Sequence, residues 1–252
     1  MSSRKLTFEG AAGDRLAARL DMPDGSVSSC ALFAHCFTCS KDLRAVSRIS
    51  SALVAEGIGV LRFDFTGLGE SEGDFADTSF ASNVEDLVAA AQFLEREVSA
   101  PKILVGHSLG GAAVIQAAHE IDSIAAVSTI GAPADPGHVQ NLLGDAMEQI
   151  KTEGEAEVTI AGRTFLVRRK FLEDLEGTGQ TERIKTLGRS LLIFHSPVDT
   201  IVGIENAALI FEAARHPKSF VSLDRADHLL TDPEDAEYVG RVLAAWARKY
   251  LS

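Results

Sequence analysis

The fold of this chain is decided by the stretch Ile103-Leu104-Val105-Gly106-His107-Ser108-Leu109-Gly110-Gly111-Ala112-Ala113. An apolar run precedes Gly106, and small residues suited to close helix packing follow Gly110. The spacing G-x-S-x-G suits a serine on a strained strand-to-helix turn, because a side chain two positions from the serine would clash there. The sequence therefore predicts a buried strand, a sharp turn that carries Ser108, and a helix.

Short apolar runs alternate with longer amphipathic segments on both sides of this turn. The predicted buried strands are Ala31–Ala34, Gly59–Phe63, Ile124–Ile130, Leu191–Phe194 and Ser219–Leu223, and the predicted helices include Leu43–Ala55, Phe80–Val98 and Pro233–Tyr250. This alternation is typical of an α/β protein with a mostly parallel, doubly wound sheet. Leu6–Glu9 and Leu16–Asp21, on either side of a Gly-Asp pair, predict an antiparallel hairpin at the edge of that sheet.

A long interval separates the predicted strands Ile124–Ile130 and Leu191–Phe194. It contains a hairpin pattern, Ala156–Val167, and it is too long for a bare connection. We therefore expect one domain over residues 1–252, with a small lid-like insertion at about 134–188.

Composition restricts the class of protein and its partners. The chain has 252 residues, 46% of them hydrophobic and 24% charged, which is ordinary for a globular protein with a large core. A formal net charge of −12 disfavours nucleic acid as a partner, since binding phosphate backbones needs clustered Lys and Arg. The first residues contain no apolar run of the signal-peptide type, and no apolar stretch reaches membrane-spanning length. We therefore expect a cytoplasmic protein without membrane contact.

A serine nucleophile needs a base, and the base needs a carboxylate that orients it. His228 follows the last predicted strand and Asp199 follows the strand before that, so the chain order is nucleophile, acid, base. Asp224 and Asp227 compete for the role of the acid, but both are so near His228 in sequence that we expect them to shape its loop. The predicted catalytic set is Ser108, Asp199 and His228.

The negative charge that develops on a substrate oxygen needs donors that are already in place. The predicted donors are the backbone N–H groups of Leu109, directly after Ser108, and of Phe37, in the loop after an early strand. His107, inside the turn, is expected to point away from the substrate side if Ser108 points toward it. The glycine-punctuated loop Asp64–Ser71 is interpreted as a structural turn whose polar side chains hydrogen-bond the loop itself.

Three cysteines, Cys30, Cys36 and Cys39, lie close together, unlike the spread pattern of a secreted disulfide framework. Cys36 and Cys39 form a C-x-x-C, a spacing found in redox pairs and in halves of metal sites. No second C-x-x-C and no metal-spaced histidine pair follows, so a metal site is not expected, whereas thiol chemistry stays open.

Taken together, these motifs resemble those of the α/β-hydrolase superfamily over nearly the full chain. The residues that carry the resemblance are Arg62–Ser71, Gly106–Gly111, Asp199 and His228, in that order. Within the superfamily, His35–Asp42 looks like the hydrolases that in some bacteria are fused to an OsmC-like peroxide-handling domain. Many relatives have His-Gly-x where this chain has His35-Cys36-Phe37, so Cys36 departs from the usual pattern of the oxyanion loop.

The resemblance implies an α/β-hydrolase fold and a serine hydrolase of carboxylic esters or related acyl compounds, which works through an acyl-enzyme and needs no cofactor or metal. A small-molecule substrate is the expected partner, while a functional link to an OsmC-like protein and a homodimer both stay open. Two alternatives remain: a redox-linked protein that uses the Cys36/Cys39 pair, and a hydrolase-like binding protein without catalysis.

Overall fold

Strands and helices alternate along this chain after an initial hairpin. A computed structural model describes residues 1–36, 39–144, 146–160 and 163–251. The strands are β1 (Ser2–Glu9), β2 (Arg15–Met22), β3 (Ser29–Ala34), β4 (Ile58–Phe63), β5 (Ile103–His107), β6 (Ala126–Ile130), β7 (Glu155–Ile160), β8 (Arg163–Arg168), β9 (Ser190–His195) and β10 (Lys218–Ser222). The helices are α1 (Arg44–Ala55), α2 (Phe80–Glu97), α3 (Leu109–Ala117), α4 (Ala146–Glu153), α5 (Arg169–Glu176), α6 (Gln180–Lys185), α7 (Glu205–Ala213) and α8 (Pro233–Ala247). In the described part of the chain, none of these helices has both the length and the apolar character needed to cross a bilayer.

Eight of the strands form one sheet in the order β1-β2-β4-β3-β5-β6-β9-β10. β1 and β2 pair antiparallel at one edge, and β2 is antiparallel to β4. The remaining pairs, from β4 through β3, β5, β6 and β9 to β10, are all parallel. The predicted mostly parallel sheet with an edge hairpin is therefore confirmed. Because parallel strands end at the same edge, the loops that follow β3, β5, β6, β9 and β10 lie side by side.

The central strands are buried on both faces, which explains their unbroken apolar runs. All residues of β3 and β4 are buried. In β3, Ala31 and Phe33 belong to an apolar cluster formed with α1 and α8, whereas Leu32 and Ala34 belong to the cluster formed with α2 and α3. The sheet is thus covered by helices on both faces, and its core fixes the position of every strand end.

The chain between β6 and β9 contains its own small structural layer. β7 and β8 pair antiparallel as the hairpin that the sequence predicts, and the turn between them lies outside the described residues. The hairpin packs on a 3-10 turn at Phe75–Asp77: the rings of Phe75 and Phe165 are 5.2 Å apart at their centroids, and Arg168 pairs with Asp77. Helix α5 follows the hairpin directly, and the short helix α6 comes after it in a segment for which the sequence pattern predicts no helix.

A buried carboxylate, Asp64, joins the loop after β3 to the loop after β4. It accepts hydrogen bonds from the Lys41 backbone N–H at 2.6 Å, from Lys41 Nζ at 2.8 Å and from the Glu70 N–H at 2.9 Å. Burial alone would lower the pKa of Lys41, but its hydrogen bonds to Asp64 and Glu70 outweigh that effect and raise the pKa, so the ammonium stays charged. Gly69 has a φ of +56°, and a side chain there would overlap the Asp64 carboxylate. The glycine-punctuated loop is therefore structural, as predicted.

Asp64→Asn is expected to lower the free energy of unfolding by about 3 kcal/mol, because it leaves the Lys41 ammonium without its buried counter-charge. The matched control is Glu237→Gln, which removes an exposed carboxylate from its pair with Arg241 and should change the free energy by less than about 0.5 kcal/mol. Urea denaturation at pH 7 measures both changes. Equal effects of the two variants would show that Asp64 does not anchor these loops.

Candidate active site

Ser108 lies on the sharp turn between β5 and α3. Its φ of +55° and ψ of −127° are strained for a residue with a side chain, at a cost of about 1–3 kcal/mol. The turn is held by two backbone hydrogen bonds: the Ser108 N–H donates to the Ile130 carbonyl at 2.8 Å, and the Gly111 N–H donates to the Ser108 carbonyl at 2.8 Å. The strand-turn-helix arrangement predicted around Ser108 is therefore what the structure shows.

The glycines on both sides of Ser108 are required by close backbone contacts. A Cβ on Gly106 would overlap the Gly110 carbonyl, and a Cβ on Gly110 would overlap the His35 carbonyl. The first turn of α3 is thus pressed against the end of β3. This contact brings the Leu109 N–H next to the loop that follows β3.

Asp199 and His228 meet at the same edge of the sheet. His228 Nδ1 donates to Asp199 Oδ2 at 2.8 Å, and Asp199 Oδ1 accepts the N–H groups of Ile201 and Val202, each at 2.9 Å. Burial alone would raise the pKa of Asp199, but the hydrogen bonds from His228 and Val202 outweigh it and hold the pKa below its ordinary value. Asp199 is therefore ionised at neutral pH, and because Nδ1 of His228 donates to it, Nε2 is the ring nitrogen left to accept a proton from Ser108.

The two competing carboxylates are engaged within the loop of His228. Asp224 accepts a hydrogen bond from Ser222 Oγ at 2.6 Å, and Asp227 accepts one from the Thr231 N–H at 2.8 Å. Both side chains therefore shape this loop, in agreement with their positions in the sequence.

Gly131, which no sequence motif marks, lies directly against the Asp199–His228 pair. It follows β6 with a φ of +54°, and a Cβ there would lie 3.3 Å from Asp199 Oδ2 and 3.4 Å from His228 Nδ1. Its N–H donates to the Phe194 carbonyl at 2.9 Å, which fixes it between two strand ends. A glycine immediately after a buried strand is the sequence signal that could have indicated this position.

Two further histidines hold the loop that carries Asp199. His195 Nε2 donates to the Val202 carbonyl at 2.8 Å, and His138 Nε2 donates to the Ile201 carbonyl at 3.0 Å. Because His138 lies in the segment between β6 and β9, its hydrogen bond ties that segment to the Asp199 loop. Sequence reasoning missed both contacts, because which carbonyl each imidazole reaches depends on how the Asp199 loop folds.

His107 reaches the loop that carries the candidate base. Its Nε2 donates to the His228 carbonyl at 2.6 Å, and the two rings are 5.0 Å apart at their centroids. Burial, followed by repulsion from His228, lowers the pKa of His107 to about 3. His107 is therefore neutral at physiological pH, and a carbonyl acceptor requires its proton to be on Nε2. It serves as a fixed donor that positions His228.

The two predicted oxyanion donors differ in what can be described. Leu109 is the first residue of α3, where backbone N–H groups have no partner within the helix. Phe37 lies outside the described residues. Its neighbour Cys36 is described, and it is among the residues that line a small cavity of about 10 Å³ together with Leu109 and Gly110.

The C-x-x-C pair is joined by a disulfide. Cys36 and Cys39 are bonded, with their Cα atoms 5.3 Å apart, and the Cys39 N–H donates to the Cys36 carbonyl at 3.1 Å. Cys30, in β3, is a buried free thiol whose pKa is raised by burial. Among the residues that the structure describes, no three His, Cys, Asp or Glu side chains converge on a common metal position.

A wide surface groove lies away from these residues. It has a volume of about 810 Å³ and is lined by Phe80, Val84 and Val88 of α2, Gln116 of α3 and Asp174 of α5, among others. Ser108, Asp199 and His228 do not line it. The candidate site is therefore defined by the converging strand ends rather than by this groove.

His107→Gln is expected to make stability less dependent on pH while keeping an N–H donor near the His228 carbonyl. In the wild-type protein the folded state holds His107 neutral down to about pH 3, whereas the unfolded chain takes up a proton near its ordinary pKa of about 6.5. Unfolding is therefore favoured as the pH falls from 6.5 towards 3.

Between pH 7 and pH 4.5 the wild-type protein should lose about 2 kcal/mol more unfolding free energy than the Gln variant. Urea denaturation of both proteins at the two pH values measures this difference. Identical losses would mean that His107 is not held neutral in the folded state.

Known proteins resemble this chain in sequence and in fold. A sequence profile of the Alpha/beta hydrolase family matches residues 31–251, while a sequence search of curated proteins gives no significant match. The crystal structure of the esterase domain from a Rhodothermus marinus protein is 54% identical, with a TM-score of 0.83 and 100% of each chain covered. Est1E from Butyrivibrio proteoclasticus, solved with ferulic acid bound, is 21% identical, with a TM-score of 0.84, 98% of this chain covered and 99% of that one.

XC6422 from Xanthomonas campestris, described as a serine hydrolase without a lid, is 18% identical, with a TM-score of 0.70, 99% of this chain covered and 95% of that one. At these low identities, the likeness to Est1E and XC6422 shows the fold alone. The family profile covers most of β3, all later strands and every candidate site residue, and the Rhodothermus relative shares more than half of its residues with this protein. On this evidence, the chain belongs to the α/β hydrolase family and is a hydrolase related in sequence to an esterase.

Proposed function

We propose that this protein is a serine hydrolase that cleaves carboxylic esters or related acyl compounds through an acyl-enzyme. The observation that carries the proposal is the hydrogen bond of 2.8 Å between His228 Nδ1 and Asp199 Oδ2, at the sheet edge where the strained turn holds Ser108. A serine nucleophile, an ionised carboxylate and a histidine base, which follow one another in that order along this chain, are the parts that acyl transfer needs. The sequence relationship to an esterase domain supports the same reaction class.

The proposed mechanism assigns one task to each residue. Ser108 Oγ attacks the acyl carbon while His228 Nε2 takes its proton, and the Asp199 carboxylate stabilises the imidazolium that forms. His228 then returns the proton to the leaving alcohol. A water molecule, deprotonated by the same nitrogen, cleaves the acyl-enzyme and frees Ser108. The N–H of Leu109 and, in our proposal, that of Phe37 bind the oxygen that becomes negative in both steps.

The remaining features of the proposal concern the surroundings of this site. We propose that residues 134–188 form a lid on a single domain, because this segment packs on the Phe75–Asp77 turn and His138 binds the Asp199 loop. The cytoplasmic location, the link to an OsmC-like protein and the homodimer stay predictions from the sequence.

Ser108→Ala should abolish labelling by a fluorophosphonate probe and lower kcat for p-nitrophenyl esters by about 10⁴-fold, because the nucleophile is lost.

Asp199→Asn should lower kcat for the same esters by about 10³- to 10⁴-fold, since an amide cannot stabilise the imidazolium. Asp224→Asn is the matched control, with an expected change of less than about threefold because its carboxylate binds Ser222. If the folded wild-type protein fails to label at Ser108, the serine-hydrolase proposal is wrong and a binding protein becomes the better interpretation.

Gly131→Ala should lower kcat/KM by about tenfold or more, because the added methyl group presses on the Asp199–His228 pair. Gly179→Ala is its control: Gly179 has a similar φ of +59°, but no atom lies within 4 Å of its Cβ position. Both variants have comparable backbone strain, so their stabilities should fall alike, whereas Gly179→Ala should keep kcat/KM within about twofold. The kcat/KM values of both variants are measured with a panel of p-nitrophenyl esters of increasing acyl length. Equal kcat/KM values for the two variants would contradict a role for this packing.

A further inference from the structure

We propose that Cys36 and Cys39 form a reversible thiol–disulfide site that sets the rate of acyl transfer at Ser108. The oxidised pair holds the loop after β3 against the first turn of α3, and reduction by a small dithiol releases it. The effect on rate rests on the function proposed above, whereas the exchange chemistry does not.

The two cysteines of the disulfide differ in their exposure to solvent. Cys36 directly follows the end of β3 and is buried, with 3% of its surface exposed, while Cys39 is half-buried. The two residues are three positions apart, and the Cys39 N–H donates to the Cys36 carbonyl, so the bond closes a single turn. Attack is therefore expected at Cys39 Sγ, with Cys36 as the leaving thiolate.

This disulfide stabilises the whole fold less than one that closes a long loop would. The entropic gain from a disulfide rises with the logarithm of the loop that it closes, and a separation of three residues is at the short end of that range. The chain just beyond Cys39 is already held by other hydrogen bonds. Lys41 donates to the Asp64 carboxylate from both its backbone N–H and its Nζ, and the Lys41 carbonyl accepts a hydrogen bond from Arg62 Nη1 at 2.5 Å. The constraint that the disulfide adds is therefore local, on the backbone between the end of β3 and the Lys41 anchor.

The described start of this stretch, His35 and Cys36, lies beside the first turn of α3. Cys36 lines the same small cavity as Leu109 and Gly110, and the adjoining His35 carbonyl lies where a Cβ of Gly110 would be. The Leu109 N–H, a proposed oxyanion donor, belongs to this turn. A change at Cys36 is therefore transmitted to the donors of the site without altering Ser108, His228 or Asp199.

The chemistry balances with a dithiol as reductant and a hydroperoxide as oxidant. A thiolate of the dithiol attacks Cys39 Sγ, the Cys36–Cys39 bond breaks, and Cys36 leaves as a thiolate that takes a proton. The second thiol of the reagent then attacks the mixed disulfide, which gives two protein thiols and the oxidised dithiol. In the reverse direction one thiolate attacks the hydroperoxide to give a sulfenic acid and an alcohol or water, and the other cysteine displaces water to restore the disulfide.

The test compares the wild-type protein after treatment with hydrogen peroxide and after treatment with dithiothreitol, each followed by removal of the reagent. Thiols titrated in denaturant should number one in the oxidised form, Cys30, and three in the reduced form. Reduction should lower kcat for p-nitrophenyl acetate by about fivefold or more with little change in KM, because weakened oxyanion donors destabilise the transition state more than bound substrate.

Two variants make the result specific. The double variant Cys36→Ser/Cys39→Ser should have the kcat of the reduced wild-type protein and should respond to neither reagent. Cys30→Ser, which removes the buried free thiol of β3, should respond as the wild-type protein does.

The proposal is overturned if peroxide leaves three titratable thiols, or if the thiol count changes from one to three while kcat stays the same. If Ser108 fails to label in either redox state, the proposed hydrolase function fails and the rate control fails with it. A thiol count that still changes from one to three in that case would establish the exchange site by itself.

Discussion

The close contact between the Gly106–Gly111 backbone and the end of β3 is the constraint on which the rest of the site depends. Side chains at Gly106 or Gly110 would overlap neighbouring carbonyl groups, so the turn forms only with glycine at both positions. This contact places Ser108 at the sheet edge in a strained conformation, and the strain is offset by hydrogen bonds to the neighbouring strand β6. It also places the first N–H groups of α3 beside the loop after β3, where the proposed oxyanion site forms.

On opposite sides of that turn, two buried carboxylates are each stabilised by fixed hydrogen-bond donors. One oxygen of Asp199 accepts hydrogen bonds from two backbone N–H groups, and the other accepts one from His228. Asp64 accepts hydrogen bonds from Lys41 and from the Glu70 N–H. In each case the charge is stabilised by fixed donors, and the donors fix the loop in return. Asp199 thereby orders the loop of the acid and base, and Asp64 orders the far end of the loop after β3. Cys36 and Cys39 both precede the Lys41 anchor in the chain, and their disulfide joins the two residues directly.

The surroundings of His228 show how a site is built from residues without catalytic contact. His107 donates to its carbonyl, and Gly131 leaves space for its ring beside Asp199. His138 and His195 bind the loop of Asp199. These contacts come from the ends of three strands, β5, β6 and β9, and from the inserted segment, so several parts of the sheet edge position the proposed base. The α/β hydrolase fold thus brings the strand ends together, and side chains such as His107, His138 and His195 provide the hydrogen bonds that hold the loops there.

The sequence by itself determined the parts of this protein that depend on local patterns. The G-x-S-x-G spacing indicated the turn at Ser108 because only glycine fits so close to a neighbouring backbone, and unbroken apolar runs indicated strands that are buried on both faces. Chain order was enough to select Asp199 and His228, since residues that follow parallel strands gather at one edge. Tertiary structure alone decided the contacts between distant residues: the packing of Gly131 on the Asp199–His228 pair and the role of neutral His107 as a donor to the His228 carbonyl. These depend on which strands are neighbours and on how far burial shifts a pKa, and neither quantity is encoded in the spacing of a motif.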